Sequence, residues 1–61
     1  MYVFTIEYYY EYYQTGNLNT TDTRTAIVYA DNRDEAIKKV KKADNDFVRS
    51  KSISFREISE I

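Results

Sequence analysis

The first thirteen residues restrict the fold more than any other part of the chain. From Tyr2 to Tyr13, Tyr2, Phe4, Ile6, Tyr8, Tyr10 and Tyr12 share one parity, while Val3, Thr5, Glu7, Tyr9, Glu11 and Tyr13 take the other. A two-residue period in aromatic and β-branched side chains specifies an extended strand, here over 2–13. The segment 14–19 holds the only glycine, Gly16, followed by Asn17, and is read as a turn. β-Formers resume over 20–30, Thr-rich at first and then Ala26-Ile27-Val28-Tyr29-Ala30. Together the two runs predict a long antiparallel hairpin. Registers one residue apart across the turn both satisfy the pattern, and they place opposite faces of the second strand on the core.

A helix is expected over 32–43. Asn32 is a good N-cap, and Glu35 three positions later completes a capping-box-like pair. Asp34 and Glu35 fall in the first turn and Lys38, Lys39, Lys41 and Lys42 later, as the helix dipole favours. Ala36, Ile37, Val40 and Ala43 line one face, and Asp34–Lys38 and Glu35–Lys39 are acid-before-base pairs one turn apart. Asp44-Asn45-Asp46 ends the helix, Phe47 and Val48 form an apolar link, and a third strand is expected over 51–58. There Ile53 and Phe55 share a face, while Ile58 is out of phase, which requires a bulge or a residue facing the other side. The expected fold is α+β: a ββαβ unit in one domain over 1–61, with a three-stranded, mainly antiparallel sheet. One helix packs on one face, and a long hairpin protrudes.

At 61 residues such a chain hides only ~60% of the surface its unfolded form exposes. Small domains often compensate with disulfides, metals or association. The sequence has no Cys and no His, which removes disulfides, ordinary zinc sites and every Cys- or His-based catalyst. No acidic loop of the calcium-binding kind is present, so no metal or cofactor is expected. Association is the compensation left, and a homodimer is the expected state.

Lengths locate the surface that remains uncovered. An eleven-residue helix is roughly 16 Å long, whereas a twelve-residue strand reaches about 40 Å. The helix can cover Phe4, Ile6 and Tyr8 against Ala26, Val28 and Ala30, with Ile53 and Phe55 completing the core. The distal half of the hairpin then projects with Tyr9, Tyr10, Tyr12 and Tyr13 on it, and a bare two-stranded ribbon is marginal in water. The other sheet face carries Val3, Tyr9, Tyr13, Ile27 and Tyr29. A contiguous apolar patch of this kind usually marks an interface, and tyrosine suits one because its ring buries area while its hydroxyl stays wet. The candidate contact residues are therefore Val3, Tyr9, Tyr10, Tyr12, Tyr13, Ile27 and Tyr29. The plain reading is a strand of high β-propensity steadied by cross-strand Tyr–Thr pairs.

Nine Lys and Arg stand against ten Asp and Glu, for a net charge of −1, so no global basic field recruits nucleic acid. Single-strand binding by base stacking on the tyrosines is the alternative, disfavoured because Glu7, Glu11 and Asp22 are their neighbours and Arg24 the one base in that half. The helix lysines read as a solvated face. Glu7 and Glu11, four residues apart on a strand, would lie about 13 Å from each other, too far for a glycosidase pair; they keep a tyrosine-rich strand soluble. No catalytic residue is expected, and the chain reads as a non-enzymatic binding protein. No apolar run can span a membrane and no charged leader precedes an apolar stretch, so a cytoplasmic location is expected.

The stretch Ile27-Val28-Tyr29-Ala30-Asp31-Asn32-Arg33-Asp34-Glu35-Ala36-Ile37-Lys38-Lys39-Val40 resembles a strand-to-helix junction in short phage and mobile-element proteins of the DpnD/PcfM-like type. In that pattern a strand ends in Ala, a cap follows, and a Glu-Ala-Ile helix opens. The likeness covers about a quarter of the chain and implies the ββαβ order. It brings no active residues, and the cluster Tyr8–Tyr13 has no counterpart in it. Small phage proteins of this build include inhibitors of host defence or DNA-processing proteins, so the resemblance implies an inhibitor that occupies a surface on a host protein.

Overall fold

A computed structural model describes residues 1–58. The elements in chain order are β1 (Tyr2–Tyr10), β2 (Tyr12–Gln14), β3 (Asn17–Asn19), β4 (Thr23–Ala30), α1 (Arg33–Ala43) and β5 (Phe47–Glu57). The fold is α+β, with one helix, a three-stranded antiparallel sheet ordered β4-β1-β5, and a two-stranded sheet formed by β2 and β3. The molecule is elongated, 51 × 17 × 15 Å.

The alternation in β1 decides its two faces. Phe4, Ile6 and Tyr8 are buried on the helix side, where they meet Ala30, Ala36 and Val40 in the core. The register pairs Phe4 with Val28 and Ile6 with Ala26, which selects between the two registers left open by the sequence. Ala30 and Ala36 are 1% and 0% exposed; with no side chain beyond Cβ, they let the helix approach the sheet closely. Full burial of Ile6 and Val40 contributes about 1.5–3 kcal/mol each. Tyr2, Tyr10, Ala26, Val28, Ile37, Phe47 and Ile53 pack around this centre.

Helix α1 begins as its cap residues require. The Asn32 side chain accepts from the Glu35 N–H at 2.9 Å, and the Glu35 carboxylate reaches back past the cap to accept from the Asp31 N–H at 3.3 Å. Of the two acid-before-base pairs, Glu35–Lys39 closes at 3.3 Å. At the other end Asp44 takes an extended conformation while its N–H still donates to Val40 O at 2.9 Å.

Several boundaries differ from those read in the sequence. The strand expected over 2–13 is interrupted at Glu11, whose N–H donates to Asp46 O at 2.9 Å. The strand expected over 20–30 starts at Thr23, and β3 lies inside the segment expected as the turn. The turn is tighter than 14–19: Gln14 pairs with Asn17, so Thr15 and Gly16 are its two central residues. Both have positive φ, 52° and 82°, the combination of a type I′ hairpin turn. The third strand starts at Phe47, four residues before the expected Lys51, because Tyr8, Tyr9 and Tyr10 offer it a partner through two register shifts. Those shifts, between Glu7 and Tyr8 and between Tyr9 and Tyr10, are where the strand bends. Tyr9 and Tyr10 thus belong to the three-stranded sheet and not to a bare ribbon. Ile58 lies past the end of β5, its N–H donating to Met1 O at 3.1 Å, so the phase problem ends with the strand. Phe55, expected in the core, is 67% exposed, since the helix lies over β4 and β1 and stops short of β5.

Thr15 is the strained position. A β-branched residue with positive φ costs about 1–2 kcal/mol relative to one that tolerates it. Thr15→Asn, which creates the preferred Asn-Gly pair, is expected to stabilise the ribbon by up to about 1 kcal/mol. Amide exchange at Gln14 and Asn17, the hydrogen-bonded pair next to the turn, reads this directly: exchange should slow, and unchanged rates would remove the strain argument.

Candidate interaction surface

The pairing of β1 with both neighbours writes out the face that no helix covers. Its rows are Tyr29–Val3–Arg56, Ile27–Thr5–Ser54, Thr25–Glu7–Ser52 and Thr23–Tyr9–Arg49. Apolar groups gather at one end: Val3 is half-buried between its neighbours, while Ile27 and Tyr29 are 68% and 57% exposed. The middle is polar. Glu7 accepts from Thr23 Oγ1 at 3.1 Å and from Ser52 Oγ at 3.5 Å, with Lys51 Nζ at 3.9 Å. At the far end the Arg49 guanidinium lies over the Tyr9 ring, 4.3 Å from its centroid, so one face of that ring is already taken.

The seven candidate residues therefore divide into three groups. Val3, Ile27 and Tyr29 come together at one corner of the open face, and Tyr9 shares that face at the other end. Tyr13 is on the β2–β3 ribbon, 76% exposed and directly across from Leu18, which is itself 50% exposed. Tyr10 and Tyr12 belong to the helix side. Their rings stack at 5.4 Å, Arg24 covers Tyr10 at 3.8 Å, and the Tyr12 hydroxyl donates to Asp22 at 2.7 Å. That hydrogen bond raises the Tyr12 pKa above the ordinary phenol value.

Behind Tyr10 lies a polar cluster centred on Asp44. Its Oδ2 accepts from the Tyr8 hydroxyl at 2.6 Å and from Arg24 Nη1 at 2.8 Å, and its Oδ1 accepts from the Asp46 N–H at 3.0 Å. Arg24 also lies 3.7 Å from Asp46. The Tyr8 bond, then the Arg24 bond, hold the Asp44 carboxyl below the usual carboxylate range. Burial first and the bond to Asp44 second push the Tyr8 phenol above its ordinary value. The Tyr8 ring stacks on Phe47 at 5.1 Å, and Lys41 lies 5.6 Å over the Phe47 ring. Lys39 donates to Tyr29 O and pairs with Glu35, so it is tied to the sheet and to its own helix. Among the described residues no group of His, Cys, Asp and Glu is arranged to hold a metal ion, and no pocket opens. No described helix is long and apolar enough to cross a membrane.

Four surface residues escaped the sequence reading. Arg49 and Arg56 reach the open face only through the register of β5, and Phe55 is exposed only because the helix stops short of it. Leu18 was legible: it is the apolar residue flanking the Gly16 turn, and a two-residue turn puts it opposite Tyr13.

The Asp44 cluster predicts a pH window. A depressed carboxyl contributes stability that is complete above its unfolded value of ~3.9 and is lost as pH falls through the lower native value. A raised phenol contributes stability that is complete below ~10 and is lost as pH rises through the higher native value. Asp44→Ala is expected to cost about 2 kcal/mol, because it strips Tyr8 and Arg24 of a charged partner, and to flatten the acid arm of the profile. Thermal melts of both proteins between pH 2 and pH 7 check this; parallel acid arms would remove Asp44 from the account.

Comparison with protein-family models, with curated proteins and with solved structures finds no match to this chain.

Proposed function

We propose that this chain is a small non-catalytic protein-binding module that works as a homodimer and meets its target through the open sheet face. In this reading β1–β2 and β3–β4 act as two arms of one long hairpin, and the molecule is a ββαβ unit of the kind a phage or mobile element would encode. Its target is a host protein of defence or DNA processing, occupied and thereby inhibited in the host cytoplasm.

One observation carries the reading: Ile27 and Tyr29 stand 68% and 57% exposed beside Val3, on a sheet face that no described element covers. An aromatic and two aliphatic side chains at adjacent register positions form a patch, not scattered exposure. Arg49, Arg56 and Lys51 at the opposite edge, with Glu7 between, supply the polar rim that an interface core needs. Tyr13 and Leu18 form a second exposed apolar spot on the ribbon, separated from the first by the polar middle of the face.

A second reading, single-stranded nucleic acid on the tyrosines, draws on Arg49 and Arg56, which bring positive charge to the open face. It is weaker because the Tyr9 ring that would stack a base is already covered by Arg49. Salt separates the two, since phosphate contacts weaken steeply as salt rises and an apolar interface barely responds.

The Ile27→Ser/Tyr29→Ser double variant is expected to keep the native circular dichroism spectrum and to lose at least about tenfold in partner recovery, each removed apolar contact being worth ~1 kcal/mol or more at an interface. Capture from host lysate with wild-type and variant baits, at low and high salt, reads it. Equal recovery of the same protein by both baits would remove the open face from the proposal. Recovery that collapses in salt and after nuclease treatment would favour the second reading.

A further inference from the structure

The functional reading requires two copies but does not say where they meet. The hydrogen-bond parity of the sheet answers that. Ile58 N–H donates to Met1 O, and continuing the β1–β5 register puts these two residues opposite each other. In an antiparallel ladder bonded and non-bonded pairs alternate, so Val3–Arg56, Thr5–Ser54 and Glu7–Ser52 are the bonded pairs. The Lys39 bond to Tyr29 O fits the same parity, because it leaves Tyr29 facing away from β1. Ile53, Phe55 and Glu57 therefore aim their backbone N–H and C=O groups outward, and no described strand pairs with them.

The two edges of the sheet are not equivalent. On β4, one outward carbonyl is taken by Lys39 and the helix lies alongside. On β5, the segment Phe47–Lys51 is bent by two register shifts, which discourages pairing, but Ser52–Glu57 is regular. On that regular segment Phe55 is 67% exposed, its ring touching Tyr2 and Phe4 at 5.7 and 5.6 Å and otherwise uncovered. An edge segment with open backbone groups and a bare aromatic on it is an invitation to strand addition.

We infer that two copies of the chain join edge to edge along β5, antiparallel and centred on Ser54, to form one continuous six-stranded sheet. This rests on the homodimer of the functional reading and goes beyond it by naming the seam. A two-fold axis perpendicular to the sheet keeps both helices on one side, and it must pass between a residue and its own copy, since opposed residues share a face. Centring on Ser54 sets Ile53 against Phe55 of the second copy, twice. Apolar thus meets apolar along the regular segment Ser52–Glu57. The Ile53 and Phe55 backbones then exchange the hydrogen bonds their parity leaves open. The two open faces merge into one, with Ile27 and Tyr29 left free on both sides for the target.

The chain has no cysteine, which makes the register directly readable. At a non-hydrogen-bonded two-fold site the paired Cα atoms are about 4.5 Å apart, within the disulfide range of about 4.4–6.8 Å. Ser54→Cys should therefore give a covalent dimer in oxidised glutathione. Ser52→Cys, equally exposed on the same face, lies about 13 Å from its own copy in this register and should not. Light scattering over a hundredfold concentration range should show a dimer for the wild type and for Ile27→Ser/Tyr29→Ser. Phe55→Ser, at an exposed position, should keep the native circular dichroism spectrum and weaken self-association about tenfold, and undiminished association would overturn the seam. Equal linking by Ser52→Cys and Ser54→Cys would overturn the register. A dimer that Ile27→Ser/Tyr29→Ser abolishes, with no Ser54→Cys linking, would move the seam to the open face and overturn the inference while sparing the homodimer. A wild-type monomer at every concentration would overturn the seam and the homodimer together, leaving partner capture as the separate test of the open face.

Discussion

The fold depends on a single carboxylate at the end of its single described helix. Asp44 ends α1, accepts from Tyr8 in β1 and Arg24 in β4, and folds the loop into β5 through the Asp46 N–H. The helix end, β1, β4 and the loop before β5 are thus tied at one atom group. The core is small: among the described residues Phe4, Ile6, Tyr8, Ala30, Ala36 and Val40 are buried. Where apolar burial is this limited, a charge-assisted polar cluster at the rim of the core decides how the layers sit on each other.

That cluster also explains the tyrosines. A run of aromatic residues on one strand looks like surplus surface, yet the helix-side members are each occupied. Tyr8 is bound to Asp44 and stacked on Phe47, Tyr10 is covered by Arg24 and Tyr12, and Tyr12 is held by Asp22. Arg24, the lone base in the first half of the chain, does the work of two residues by pairing with Asp44 and lying on Tyr10. What stays uncommitted is Ile27, Tyr29 and Val3 on the open face, Tyr13 and Leu18 on the ribbon, and Phe55 at the β5 edge. These are the positions on which the functional proposals stand.

The division between the two faces and the free edge follows from one geometric fact. The helix, eleven residues long, spans roughly 16 Å and is used up over β4 and β1. Among the described residues the main sheet has three strands, so no described element closes the outer edge of β5 or part of its helix-side face. A second helix or a fourth strand would have closed both. In the proposed dimer a second copy of β5 closes the edge and leaves the open face for a target.

Local chemistry carried much of this fold in the open. The period-two run of β1 placed Phe4, Ile6 and Tyr8 on the core side, and Asn32 with Glu35 marked the start of α1 within a residue, because both signals act between near neighbours. Val3, Ile27 and Tyr29 were legible as one surface for the same reason, given a register. The rest needed distant partners. The break at Glu11 exists because Asp46 offers a carbonyl from thirty-five positions away, and the early start of β5 exists because Tyr8–Tyr10 offer it an edge. The occupation of Tyr10 and Tyr12, the exposure of Phe55 and the arrival of Arg49 on Tyr9 are likewise tertiary facts. The sequence by itself determined which residues extend, which coil and which faces are apolar, since backbone sterics and side-chain period act locally. Only the tertiary structure decided which of those faces and edges are covered, because coverage depends on where elements far apart in the chain run out of length.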